Sequence, residues 1–202
     1  IALTEGSTDI GGSRTSISMQ AAEVLGIPAE SVNPTVVDTD SIGFTFITGG
    51  SRTTYATGWA AYEAAQDVKG QLIERAAKIW GVTPDKVSYD SGVLTNLNSE
   101  EAMTFAELAS ELNGTGGPII GRGARHAGGA GAGGGSFAGV IVDLKIDPDT
   151  GKTEVTRFTS VQDAGKAIHP SYVEGQMQGG SVQGIGWALN EEYFMSDDGK
   201  MN

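Results

Sequence analysis

The sequence predicts a mixed α/β fold (α+β where strands pair as hairpins), arranged as two layers with helices packed on a mixed β-sheet. Three observations carry this reading. Helical stretches around residues 13–25, 54–80 and 172–194 alternate with short strand-like runs instead of segregating from them. Two turns, Ser91-Gly92 and Asp147-Pro148-Asp149-Thr150-Gly151-Lys152, are flanked by β-rich segments that read as hairpins. Of 202 residues, 39 % are hydrophobic and 19 % charged, the balance of a packed domain.

Taken in order, Ile1–Glu5 is a short strand leading into Gly6-Ser7-Thr8-Asp9-Ile10-Gly11-Gly12-Ser13, a loop of small residues. The helix that follows shows its apolar side through Ile17, Ala21, Val24 and Leu25, and Gly26, Ile27 and Pro28 stop it. Residues 28–32 connect to a second strand, Thr35–Asp38. A second small-residue loop, Thr48–Thr54, opens the longest helix, Thr54–Trp80, whose inward stripe comprises Ala61, Ala65, Val68, Leu72, Ala76 and Ile79. Val87–Tyr89 and Val93–Thr95 form a hairpin, and Thr104 caps a short helix through Leu112. From Asn113 to Ser136 Gly and Ala dominate. A second hairpin follows, Phe137–Ile146 with Thr153–Gln162, in which the alternation of Val140, Val142 and Leu144 marks a core strand. A third loop, Gln162 to Pro170, leads into the last helix, Tyr172–Phe194. Glycines at 175, 179, 180, 184 and 186 each cost that helix about 1 kcal/mol relative to alanine. Such a smooth face implies a backbone or a ligand packed closely against it.

Composition narrows the chemistry. Thirteen Lys+Arg against 25 Asp+Glu give a net charge of −12, with no basic cluster to neutralise phosphates, so a nucleic-acid partner is excluded. The absence of cysteine removes disulfides, thiolate metal sites, Cys-ligated clusters and cysteine nucleophiles. No apolar run reaches the ~20 residues of a membrane span, which places the chain in the cytoplasm or, as the alternative, the periplasm. His126 and His169 stand far apart without metal-ligand spacing; the first reads as solvated and the second as turn structure. Starting at Ile1 and ending just after a turn, the chain reads as a piece of a longer polypeptide.

Three segments share one device. Gly6–Ser13 and Gly49–Thr54 open helices, and Gly175-Gln176-Met177-Gln178-Gly179-Gly180 lies on the last one. Helix-entrance N–H groups attract anions, glycine lets a phosphate approach the backbone, and Ser/Thr hydroxyls add donors. Singly, such loops are caps and turns; three together favour a phosphate-bearing ligand. Arg52 suits either a phosphate or a surface salt bridge. Asp163 reads as the cap of its loop. The first loop also fits a degenerate phosphate-loop pattern, Gly-x-x-x-x-Gly-x-Ser, with Gly12 in place of lysine and Asp143 as a candidate magnesium carboxylate; this leaves a non-catalytic nucleotide- or anion-binding module as the alternative.

In this order the motifs resemble the C-terminal part of the molybdenum-cofactor-binding subunit of the xanthine dehydrogenase/aldehyde oxidoreductase family, the molybdenum hydroxylases. Gly6–Gly11 with Gln20-Ala21-Ala22, Asp38-Thr39-Asp40 with Gly49–Thr54 and Gly58, and Gln162-Asp163-Ala164-Gly165 through His169-Pro170, Glu174-Gly175-Gln176, Gly179-Gly180, Val182–Gly186 and Glu191-Glu192 carry the resemblance over nearly the whole chain. It implies a fragment of a molybdopterin-binding domain over residues 1–202: a first half (1–112), a Gly-rich insert (113–136), and a hairpin plus cofactor-binding helix (137–202). It further implies molybdopterin, alone or as its cytosine dinucleotide, with the metal ligated by the cofactor and not by side chains. Gly11, Gly12, Ser13, Ser51, Arg52, Thr53, Thr54 and Gln176 would bind the cofactor, with Gly49 and Gly50 beside the substrate. Gly12 stands where many members carry glutamine. The implied chemistry is hydroxylation of an aldehyde or N-heterocycle with water-derived oxygen, electrons passing to iron–sulfur clusters and FAD borne by partner subunits or domains. The family's catalytic glutamate would fall beyond Asn202, in the remainder of the subunit, leaving this segment inactive alone and its bared core face prone to dimerisation.

Overall fold

The computed structural model describes residues 1–42, 45–125 and 135–201, and the chain divides into two compact units, Ile1–Gly133 and Gly134–Asn202. The expectation for His126 lies outside the described residues. No described helix is long and apolar enough to cross a membrane.

In the first unit, β1 (Ala2–Glu5) pairs in parallel with β2 (Asn33–Val36), and α1 (Ser13–Leu25) makes the crossover between them. Gly26 ends α1 in the left-handed conformation, donating its N–H to the Ala22 and Glu23 carbonyls. A one-turn helix, α2 (Thr39–Ile42), follows where the sequence shows only loop. Helix α3 (Thr53–Trp80) is the spine of the unit. Its N-terminal half packs Ala61 and Ala65 against Ile17, Ala21 and Leu25 of α1. Its C-terminal half packs Leu72, Ala76 and Ala77 against Val87, Leu94 and Leu108, which come from β3 (Val87–Asp90), β4 (Val93–Asn96) and α4 (Phe105–Thr115). The expected stripe is therefore the buried one, with Val68 and Ile79 half-buried at its margins.

The β3–β4 hairpin gains a third antiparallel strand, β5 (Ala102–Thr104), too short to register as a period. Thr104 then caps α4 in a capping box: its hydroxyl accepts the Glu107 N–H at 3.2 Å, and the Glu107 carboxylate accepts the Thr104 N–H at 2.7 Å. Residues 120–125, which the sequence shows only as the start of a Gly-rich stretch, run along α3. Gln71 donates to the Ile120 carbonyl at 2.9 Å, Asp67 accepts the Arg122 N–H at 3.0 Å, and Arg125 pairs with Glu63 at 3.6 Å. A side chain at Gly121 or Gly123 would collide with the α3 backbone at Ala64 or Ala60, so close approach explains both glycines.

The second unit is a hairpin and a helix. Strands β6 (Ala138–Ile146) and β7 (Thr153–Gln162) pair antiparallel with an irregularity at Asp143/Leu144. The turn residues predicted by Pro148 and Gly151 close it, Asp147 accepting from Asp149 and Thr150. Helix α5 (Pro170–Leu189) stops five residues short of the expected end, its Asn190 N–H bonded to the Gly186 carbonyl. One correction follows. Val140, Val142 and Leu144 are exposed, because a two-stranded ribbon leaves faces bare that alternation alone assigns to a core. Among the described residues, nothing comes within 4 Å of a Cβ placed at helix glycines 175, 179, 180 or 184. The mixed α/β class holds, with the parallel and antiparallel pairings residing in separate small sheets.

Candidate functional site

The first two small-residue loops meet, and hydroxyl groups make the meeting. Strand β1 delivers Gly6, over which Thr45 and Ile42 close so tightly that a Cβ would clash. Ser7 Oγ then contacts Thr57 Oγ1 at 2.5 Å, and Thr8 Oγ1 contacts Thr48 Oγ1 at 3.1 Å. Behind them Gln20 of α1 lies across Gly58 of α3, its amide donating to the Thr54 carbonyl at 3.2 Å and the Ser16 carbonyl at 3.3 Å. Any side chain at 58 would occupy the space Gln20 fills. The entrances of α1 and α3 are thereby locked side by side.

The two entrances differ in what they leave open. At α1, Gly12 is the left-handed N-cap. The Ser13 N–H is taken by the Ile10 carbonyl (3.1 Å) and the Arg14 N–H by the Asp9 carboxylate (3.1 Å). Asp9 also accepts from Arg14 Nε at 2.7 Å, and these bonds hold its carboxyl below the ordinary carboxylate range. A carboxylate already sits where a phosphate would have to go. Ser13 is buried with its hydroxyl donated to the Thr8 carbonyl at 3.2 Å. The phosphate-loop alternative thus loses the Ser13 and Arg14 donors at the helix entrance, and its candidate magnesium carboxylate, Asp143, is paired with Arg157 at 2.7 Å. Gly11, Gly12 and Ser13 act as a brace, with the Gly11 and Gly12 backbone at its exposed and half-exposed rim.

At α3 the arrangement is open. Gly50 (φ 65°) and Ser51 (φ 56°) are both left-handed, a strained state for serine, and Arg52 at the N-cap has no side-chain cap. The first-turn amides from Thr53 onward have no acceptor within the helix, and the loop from Thr48 to Thr54 contains no acidic residue. Arg52 donates one guanidinium nitrogen to the Phe46 (3.1 Å) and Ile47 (2.9 Å) carbonyls, with its guanidinium 5.5 Å from the Phe46 ring centroid. It is therefore a loop clamp with remaining N–H groups, and not the surface salt bridge that sequence left as an alternative. Thr53 is buried and Thr54 exposed; among the described residues a Cβ at Gly50 would meet nothing within 4 Å, and one at Gly49 only the Ile47 side chain at 3.9 Å. Such a set of donors at a helix entrance suits an anion.

The third segment belongs to the second unit. Gln176 is exposed on the first half of α5. His169 is the N-cap residue, stacked on Tyr172 at 3.7 Å between ring centroids, and Asp163 accepts the Gly165 N–H at 3.0 Å within its own loop. Sequence reasoning missed one residue beside the loops, Glu5. It is buried at the end of β1 with neither carboxyl oxygen hydrogen-bonded. The signal was a carboxylate two residues after Leu3, on the inward side of a strand.

Comparison with known proteins gives a consistent answer. The profile of the molybdopterin cofactor-binding domain matches residues 1–202. The gamma subunit of the 6-hydroxypseudooxynicotine dehydrogenase complex of Paenarthrobacter nicotinovorans is 27 % identical, over 99 % of this chain and 26 % of that protein. The putative xanthine dehydrogenase molybdenum-binding subunit XdhA of Escherichia coli K12 is 31 % identical, over 96 % of this chain and 26 % of its own length. Among solved structures, a Cu,Mo-CO dehydrogenase matches with a TM-score of 0.80 at 25 % identity, covering 97 % of this chain and 25 % of that one. Quinoline 2-oxidoreductase from Pseudomonas putida 86 matches at 0.77 and 25 % identity, covering 99 % of this chain and 26 % of that one. The chain spans about a quarter of the length of the relatives it matches.

Proposed function

The chain belongs to the molybdopterin cofactor-binding domain family, among the molybdenum-binding subunits of xanthine dehydrogenases and aldehyde oxidoreductases, and from that premise we propose that the entrance to α3 grips the anionic end of the cofactor. The observation that carries this reading is the pair of left-handed residues, Gly50 and Ser51, ahead of an uncapped helix. Ser51, Arg52, Thr53 and Thr54 supply backbone N–H groups, hydroxyls and the free part of a guanidinium. Gly11 and Gly12 border them from the first loop, Ser13 holding that loop in shape; within the second unit, Gln176 exposes on α5 a side-chain amide suited to hydrogen-bond the cofactor. Gly49 and Gly50, without side chains, leave room for substrate. The bound cofactor, molybdopterin or its cytosine dinucleotide, supplies the redox centre at which an aldehyde or N-heterocycle is hydroxylated with oxygen from water. This chain's own part is to bind and orient; the segment by itself does not turn over substrate. Names such as "complex subunit gamma" and "large subunit" among the relatives support partner subunits; on the proposed reading these, alongside the remainder of the molybdenum subunit, bear iron–sulfur clusters and FAD.

Thr54→Asp in the full-length subunit tests the site. An acidic residue in the first turn of an exposed helix entrance favours the helix by a few tenths of a kcal/mol while repelling an anion placed there. Folding is kept, and molybdenum content and released pterin fall at least about tenfold, the loss expected for about 1.4 kcal/mol of repulsion. Thr54→Asn, which adds no charge, retains both. Full occupancy in Thr54→Asp would place the anion elsewhere.

A further inference from the structure

Glu5 is a carboxyl group for which the described residues provide no hydrogen-bond partner. It ends β1, is 5 % exposed, and shares the inward side of the strand with Leu3, which packs on the α1–α3 core. Its backbone is fixed, the carbonyl accepting the Val37 N–H at 3.0 Å. Neither carboxyl oxygen has a hydrogen bond, and the buried Ser18 hydroxyl of α1 is equally unpartnered. The charged groups facing it come from the first loop and α1. Asp9 repels its ionised form, and Arg14 attracts it, but Arg14 is engaged with Asp9. Strand β2 brings no ionisable side chain, Asp38 beyond it turns to Ser41 at 2.9 Å, and Arg52 of the second loop directs one guanidinium nitrogen to the Phe46 and Ile47 carbonyls.

We propose that Glu5 is a proton-operated latch for the cradle formed by the first two loops: as the neutral acid it stays packed at the root of the first loop, and on losing its proton it moves toward water and draws that loop off the second. An ion with no donor to replace its hydration is unstable where Glu5 lies. Burial, with Asp9 adding to it, pushes its carboxyl up to about 7, so the proton is exchanged near neutral pH. Gly6 is clamped under Thr45, and Ser7 and Thr8, the next two residues, carry the hydroxyl contacts to Thr57 and Thr48. A displacement of Glu5 is therefore passed directly to the bonds that join the loops. That the opened cradle holds an anion less firmly rests on the site proposed at α3; the movement itself does not.

The test uses the full-length subunit with its partners. Amide hydrogen exchange at residues 6–13, corrected for intrinsic base catalysis, is followed from about pH 6 to about pH 8 with the β3–β4 hairpin as internal reference. The wild type is expected to show about a tenfold acceleration confined to the loop, as the ionised fraction rises across the two pH units, and Glu5→Gln a flat profile. Identical profiles in the two proteins, or a flat wild type, would overturn the latch. Should Glu5→Gln fail to fold, infrared difference spectra of the wild type decide: a protonated-carboxyl band must vanish with the same midpoint as the loop opens, and its absence rejects the proposal. Molybdenum retained after gel filtration at both pH values is read separately. Loop opening without metal loss upholds the latch and removes the first loop from the cofactor site.

Discussion

Glu5 also governs how stability responds to pH, and the sign follows from its raised value. Below about pH 4.5 the carboxyl is neutral in both folded and unfolded chains and contributes nothing to the difference. Between there and about 7 the unfolded chain ionises while the folded one keeps its proton, so stability falls as pH rises and levels off above. The loss amounts to on the order of 3 kcal/mol, and Glu5→Gln removes its pH dependence, which urea unfolding at a series of pH values measures. Asp9 works in the opposite sense: held low chiefly by the Arg14 N–H and side chain, it stabilises above its ordinary range and loses that contribution in acid. Gln20 shows what a neutral residue does at the same scale. Gln20→Ala removes its bonds to the Thr54 and Ser16 carbonyls and uncovers Gly58, with an expected cost of about 1–2 kcal/mol. Gly58→Ala should cost at least as much alone, because its methyl meets the Gln20 amide, and much less when Gln20 is also shortened. A double-mutant cycle on unfolding free energies measures that coupling.

At the scale of elements, the capping box of α4 is the plainest test of a local signal. Thr104→Ala should lower stability by about 1 kcal/mol, seen as a shift of the thermal midpoint. Elements specified by their own residues were legible: α1 ended by Gly26, α3 with its stripe from Ala61 to Ala76, the Gly92 hairpin and the Pro148-to-Gly151 turn. Elements specified by a distant partner were not. Strand β5 has only three residues and exists because β4 offers an edge. Residues 120–125 look like featureless glycine until α3 is beside them, when Gly121 and Gly123 become requirements of close packing. The α5 boundary was missed because Trp187 to Phe194 reads as a continued apolar helix, whereas the chain turns at Asn190 with the Glu191 carboxylate folded back on Gly186. The candidate site divides the same way. Gly49–Thr54 was legible from composition and position; the self-capping of α1 by Asp9 depends on a side-chain rotamer that spacing does not disclose.

For the molecule as a whole, the contrast between the two units is the governing fact. The first has two buried clusters strung along α3. The second leaves Val140, Ile141, Leu144, Ile146 and Val161 exposed on its hairpin and Val182 and Trp187 exposed on its helix. Apolar surface on that scale marks an interaction face. The chain expressed alone should therefore self-associate and bind a hydrophobic dye, and Val161→Lys with Ile141→Glu should reduce both; size-exclusion chromatography and dye fluorescence measure it. Helix α5 buries no side chain and carries five glycines, so its own residues contribute little toward keeping it wound. In a growing polypeptide the first unit can become rigid while this stretch still fluctuates. Maturation then acquires an order: the α3 entrance is ready early, and α5 winds last.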